Sequence, residues 1–168
     1  MSQIRYQYYV EGDCERKLIE ELKTQKNMIR SGKITVLNVI EDRIRDSHLR
    51  LLSAETVVIL VFDTDTGKLG FLKSNMELLH KSKRVREIWC VTQCENLEDE
   101  LIRSTDIHEI KELLGSRSNK EFKHDFIHEK RLFGKLEEHG FDYSKLWIGQ
   151  AKAPYDFIQN QGKRIKLG

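Results

Sequence analysis

Apolar residues in this chain fall into short unbroken runs that stop at carboxylates, separated by stretches with helical spacing. Val57, Val58, Ile59, Leu60, Val61 and Phe62 form one such run, rich in β-branched residues. At that length it predicts a strand buried on both faces, as in a parallel sheet. Residues 4–10, 33–40 and 85–92 read as three further strands. Leu18, Ile19 and Leu22 give an apolar face to a helix over 14–24. Ile44, Leu49 and Leu52 do so for a crossover helix over 43–52, and Leu69, Leu72, Met76 and Leu79 mark another helix. Strands alternating with helical segments predict right-handed βαβ units. The expected fold class is therefore α/β, with a mostly parallel four-stranded sheet flanked by helices.

From Asp106 onward the pattern turns helical and less regular. Ile107, Ile110, Leu113 and Leu114 form a face that ends at Gly115. Residues 116–123 read as a polar connection. Phe126, Ile127, Leu132, Phe133 and Leu136 predict one helix ending near Gly140. Leu146, Trp147 and Ile148 read as an edge strand or a segment packed under the sheet. The expected organisation is an α/β core over 1–105 and a helical extension over 106–168, packed on the core and ending in a basic tail.

Length and charge refine this picture without redirecting it. The 168 residues suit one domain able to bury a real core. A charged content of 33% and a mean hydropathy of −0.56 describe a highly charged surface. Lys plus Arg number 29 against 27 Asp plus Glu, so the distribution matters more than the total. Between Arg117 and Lys135 the basic residues are interleaved with acids, which reads as a solvated helical surface. In the tail, Lys152, Lys163, Arg164 and Lys166 face only Asp156. That tail reads either as a strip lying along phosphates or as a solubilising end. No apolar run is long enough to span a membrane, and the start of the chain lacks a signal-peptide core. Cys14, Cys90 and Cys94 are odd in number and lack CxxC spacing, so they read as free thiols of a cytoplasmic protein.

The candidate chemistry sits where the apolar runs end. Glu11 follows the first strand, and Gly12 lets the backbone turn tightly into a helix. Asp63 and Asp65 follow the third strand. In open α/β sheets ligands bind outside the C-terminal ends of the strands. If the two strands are neighbours, three carboxylates converge there, repel one another and require a cation. All-oxygen ligands favour Mg²⁺ or Mn²⁺. Glu15, in the first helical turn, reads equally as a residue favoured by the helix dipole and as an additional ligand. After the fourth strand, Asn96 caps a helix whose early acids complement its dipole. Glu98 or Glu95 there is the candidate for a further metal-site carboxylate. The HDFIH stretch, 124–128, has zinc-protease spacing with aspartate in place of glutamate. The shorter side chain draws a base away from bound water, and the stretch reads better as a solvated helix face.

The pairing of VEGDCE, carrying Glu11, Gly12 and Glu15, with FDTDTG, carrying Asp63 and Asp65, resembles the Toprim domain. That metal-binding unit is shared by topoisomerases, bacterial primases, OLD-family nucleases and RloB-like proteins. The resemblance spans roughly residues 4–101. Gly67 comes one place earlier than in the frequent D-x-D-x-x-G form. The resemblance implies a Toprim-like fold and a Mg²⁺- or Mn²⁺-dependent nuclease acting on DNA or RNA. Glu11, Asp63, Asp65 and Lys152 would be catalytic, and Glu11, Glu15, Asp63, Asp65 and Glu98 would hold metal. Small proteins of this kind accompany phage-defence systems, sometimes beside an ABC-type ATPase. This chain has no G-x-x-x-x-G-K-[ST] loop, so such an ATPase would be a separate partner. The alternatives are a metal-dependent nucleic-acid or nucleotide binding module that does not cleave, and a partner subunit of an ATPase.

Overall fold

The run that opens the sequence pattern becomes the centre of the molecule. In the computed structural model, which describes residues 3–25 and 27–168, strand β3 spans Thr56–Asp63. Its side chains alternate between two apolar clusters. Val57, Ile59 and Val61 enter one, and Val58, Leu60 and Phe62 the other. Both faces are covered, which is why no polar residue interrupts the run.

Strand β1 (Arg5–Val10) lies beside β3, with Val10 opposite Val61. Strand β4 (Val85–Gln93) flanks β3 on the other side and sets Gln93 opposite Asp63. Strand β2 (Lys33–Val36) completes an all-parallel sheet in the order β2-β1-β3-β4. The expected α/β class is thus the one that forms, consistent with a Toprim-like arrangement. The chain runs outward from β1 to β2, then returns past β1 to β3 and continues to β4. Strand order therefore reverses between β1 and β3, and Glu11 and Asp63 stand at the C-terminal side of that junction.

Helix α1 (Asp13–Thr24) packs Leu18, Ile19 and Leu22 on one face of the sheet. Helix α3 (Leu72–Lys81) packs Leu72 and Leu79 on the other. Between them in sequence, α2 is only Asp46–Arg50, shorter than expected. β2 also stops early. The Asn38 side chain accepts the Ile40 N–H at 3.1 Å and its carbonyl accepts from Glu41 and Asp42, turning the chain away from the sheet.

Helix α4 (Leu97–Ser104) follows β4, capped by the Asn96 side chain on the Asp99 N–H at 2.9 Å. A 3-10 turn (Ile110–Leu113) stands where a longer helical face was expected. The expected helix toward Gly140 is two helices. Helix α5 (Asn119–His128) starts inside the stretch read as a connection, because Ser118 caps it on the Glu121 N–H. Helix α6 is Leu132–Glu138. The break falls where Glu129 is extended and its carboxylate accepts the Arg131 N–H at 2.9 Å.

Phe122, Phe126, Leu132, Leu136 and Trp147 bury themselves in the same cluster as Tyr8, Val10 and Val61, so the extension and the sheet share one core. Trp147 joins no strand. It is fully buried with a left-handed backbone at φ 57°. The tail is ordered against the sheet. Short helix α7 (Gly162–Ile165) follows Gln161, which covers the outer edge of β4 by exchanging hydrogen bonds with both backbone groups of Cys90. Arg164 lies 4.2 Å over Trp89 and pairs with Glu87 at 3.0 Å, while Lys166 donates to the carbonyls of Tyr143 and Leu146. Residues 161–166 therefore pack along β4, while Tyr155 reaches the loop after Asp63, where its hydroxyl meets Thr66 at 3.1 Å and donates to the Lys68 carbonyl. The three cysteines are free thiols, and no described helix is long and apolar enough to cross a membrane.

Candidate active site

Two strand ends make the site. Glu11 is the first residue beyond β1 and is half-buried; Asp63 closes β3 and is also half-buried. Glu11 Oε2 accepts the Asp63 main-chain N–H at 2.7 Å, which fixes one carboxylate on the other's backbone. Glu15 lies below them in the first turn of α1 and is only 6% exposed. Its carboxylate turns back toward Gly12, and the main-chain N–H groups of Glu15 and Gly12 partly offset the rise that burial causes. Gly12 leaves room for this, since a Cβ there would lie 3.3 Å from Glu15 Oε2. Glu15 thus stands in the first turn of α1 and lines the cleft that holds Glu11 and Asp63.

The loop after β3 is pinned to β4. The Thr64 N–H donates to the Glu95 carbonyl at 2.9 Å and the Thr64 hydroxyl to the Gln93 carbonyl at 2.7 Å. Asp65 is exposed beyond it, its Oδ2 held at 3.2 Å by the Asn96 side chain. Glu98, in the first turn of α4, lines the two clefts that meet at Asp63. These clefts measure about 350 and 390 Å³. Of the two candidate acids after β4, Glu98 therefore borders the site. Glu95 lines a separate hollow with Thr64, Arg103 and Lys152. Lys152 is exposed and is not brought to the acidic clefts. His124 and His128 stack at 4.2 Å on the exposed side of α5 and line neither cleft.

Three residues that the sequence did not single out complete the site. Gln93 is fully buried and donates its amide to Asp63 Oδ1 at 2.5 Å and Glu15 Oε1 at 3.3 Å. Trp147 donates its indole N–H to Gln93 Oε1 at 3.2 Å. Lys123, on α5, is the cation that borders both clefts, and its ammonium lies 3.6 Å from Glu98. Gln93 occupies the position beside Asp63 in the sheet register, a signal available once β4 is paired with β3. Lys123 had no such signal among the mixed charges of its helix.

The electrostatics are those of crowded acids without a counter-charge. Burial above all, then Glu11 and Glu15, pushes the Asp63 carboxyl up to about 9 from 3.8. Burial raises Glu11 as well. The Asp63 N–H pulls it back, and Glu15 and Asp65 push it further up. Glu15 is raised chiefly by burial. Among the described residues no ion pair reaches Glu11, Glu15, Asp63 or Asp65. Glu98 in turn holds the Lys123 ammonium above its usual range. Buried carboxylates with raised affinity for protons are a donor set suited to a hard divalent cation. As the side chains stand, no three His, Cys, Asp or Glu among the described residues are gathered to hold an ion. Their oxygens are turned instead to Gln93, Asn96 and main-chain N–H groups.

Comparison with protein-family models, with curated proteins and with solved structures returned no match.

Proposed function

We propose that this chain is a Mg²⁺- or Mn²⁺-dependent nuclease of Toprim type that hydrolyses phosphodiester bonds in DNA or RNA. The observation that carries the reading is the Glu11–Asp63 junction. At the ends of adjacent parallel strands the Asp63 main-chain N–H holds the Glu11 carboxylate, Glu15 lies close by, and among the described residues no ion pair reaches these acids. Glu11, Asp63 and Glu15 would hold the cation, with Asp65 and Glu98 on the open side. When bound, such a cation supplies Lewis-acid stabilisation of phosphoryl oxygens and lowers the pKa of a coordinated water.

The chain's own residues have separable parts in this scheme. Asp63 and Glu15 are aimed by Gln93. Asp65 is steadied by Asn96 at the solvent edge, where a polynucleotide has access. Glu11, whose affinity for protons is raised, would accept one from the attacking water. Lys123 offers a positive charge at the mouth of both clefts for a phosphate. A cytoplasmic role in phage defence beside a separate ABC-type ATPase follows from the resemblance in the two acidic motifs.

One observation favours a second reading. The carboxylates are engaged by internal donors and not gathered into a cage, as in a module that binds metal and nucleic acid without cleaving. Incubating the protein with single- and double-stranded DNA and RNA, with Mg²⁺ or Mn²⁺, separates the two. Cleavage that disappears in Glu11→Gln supports the nuclease. Metal-dependent binding with intact substrate supports the module.

A further inference from the structure

We infer that Gln93 is a positioning residue of this site: held by the Trp147 indole, its amide fixes Asp63 and Glu15 as oxygen ligands while adding no charge of its own. The inference rests on the metal-site reading and identifies what the C-terminal extension contributes to it.

The geometry follows from donor and acceptor chemistry. An indole N–H can only donate, so the Gln93 atom facing Trp147 at 3.2 Å is the carbonyl oxygen. That sets the amide nitrogen, with its two donors, toward the acids. One N–H meets Asp63 Oδ1 and the other Glu15 Oε1. Gln93 and Trp147 are fully buried and Glu15 nearly so, so water is a poor substitute for any of these bonds.

The choice of an amide is chemically specific. A lysine here would neutralise the carboxylates and compete with a cation. A glutamate would add to their repulsion. A neutral double donor holds two acids side by side and leaves their charge for a metal.

Trp147 is itself firmly seated. Its main-chain N–H donates to Glu100 Oε2 at 3.0 Å, and its main-chain carbonyl accepts from the Asn160 side chain at 3.1 Å. Gly162 packs against it where a Cβ would fall 2.1 Å from the Trp147 carbonyl oxygen. The indole thus carries the placement of 147–162 into the acidic site through one amide.

The test is a Mn²⁺ titration by calorimetry without nucleic acid, on the parent, Gln93→Leu and Trp147→Phe, with melting temperatures in EDTA. Trp147→Phe keeps an aromatic ring and removes the indole N–H with part of the bulk, so it reports even where Gln93→Leu fails to fold. Loss of a partner that orients a ligand costs about tenfold or more in metal affinity. That loss is expected in both variants, with Trp147→Phe melting in EDTA within a few degrees of the parent. Parent-like Mn²⁺ affinity in Trp147→Phe overturns the inference and leaves the metal site standing. So does an affinity loss that only tracks a large fall in melting temperature. A parent that binds no Mn²⁺ overturns the metal-site reading and this inference together.

Discussion

The main-chain N–H of Asp63 donates to the Glu11 carboxylate at 2.7 Å, joining the ends of two neighbouring parallel strands across 52 positions of sequence. Everything proposed for this molecule depends on that junction. It places two acids where strand order reverses, and it does so in surroundings that favour protons over bare charge.

The first consequence concerns pH. The Asp63 carboxyl is raised to about 9 in the folded protein against 3.8 as its ordinary value. The folded state therefore keeps a proton that the unfolded chain releases. The resulting stability is fully present below the unfolded value and is lost as pH rises through the folded one. Glu11 and Glu15, also raised, act in the same direction. In EDTA the melting temperature of the parent should fall by several degrees between about pH 5 and about pH 9. Asp63→Asn should flatten that slope. A parent melting profile that is level across the range counts against the electrostatic account.

Lys123 should behave as a cleft residue and not as a prop of the fold. Its side chain is 68% exposed and its pairing with Glu98 is a surface ion pair, of a kind worth about 0–1 kcal/mol. Lys123→Ala should leave the melting temperature in EDTA nearly unchanged. Removal of a competing charge should tighten Mn²⁺ binding by a few fold, and loss of a phosphate contact should weaken binding of a DNA or RNA oligonucleotide. Unchanged affinities for both ligands would place Lys123 outside the site.

How far was this legible beforehand? The strands were, because a fully buried β3 leaves an unbroken apolar run, and because Glu11 and Asp63 end their strands abruptly. The cap of α4 was too, since Asn96 stands before a run of acids. Gln93 was not, because a polar residue at a strand end looks like the start of a loop until its pairing with Asp63 is known. Trp147 was hidden for the opposite reason. Among Leu146 and Ile148 it looks like ordinary core, and only its indole N–H distinguishes it. The tail was open between two readings because charge alone does not reveal that Arg164 has Trp89 and Glu87 to meet.

That placement of the tail yields its own prediction. Arg164 lies over Trp89 and pairs with Glu87, while the carboxylate end of the sheet is elsewhere. Arg164→Ala should cost about 0.5–1 kcal/mol, the range for an exposed cation–π contact. It should leave metal affinity and any hydrolysis at the parent level. Denaturant melts and a cleavage assay on the same variant check both parts. Lost cleavage at intact stability would return the tail to the substrate path.

The most direct test of the central claim is a thermal melt of the parent and Asp63→Asn at neutral pH, first in EDTA and then across a Mn²⁺ titration. In EDTA the variant should melt higher, because its amide is spared the cost of taking up the proton that the folded Asp63 keeps at neutral pH. With Mn²⁺ the order should reverse. Ligand present at a hundredfold excess over its dissociation constant adds about 2.7 kcal/mol to a protein that binds it and little to one that does not. The two curves should therefore cross as Mn²⁺ rises. If Mn²⁺ leaves the parent's melting temperature where EDTA put it, the acids at the ends of β1 and β3 are not a metal site, and the nuclease reading falls with them.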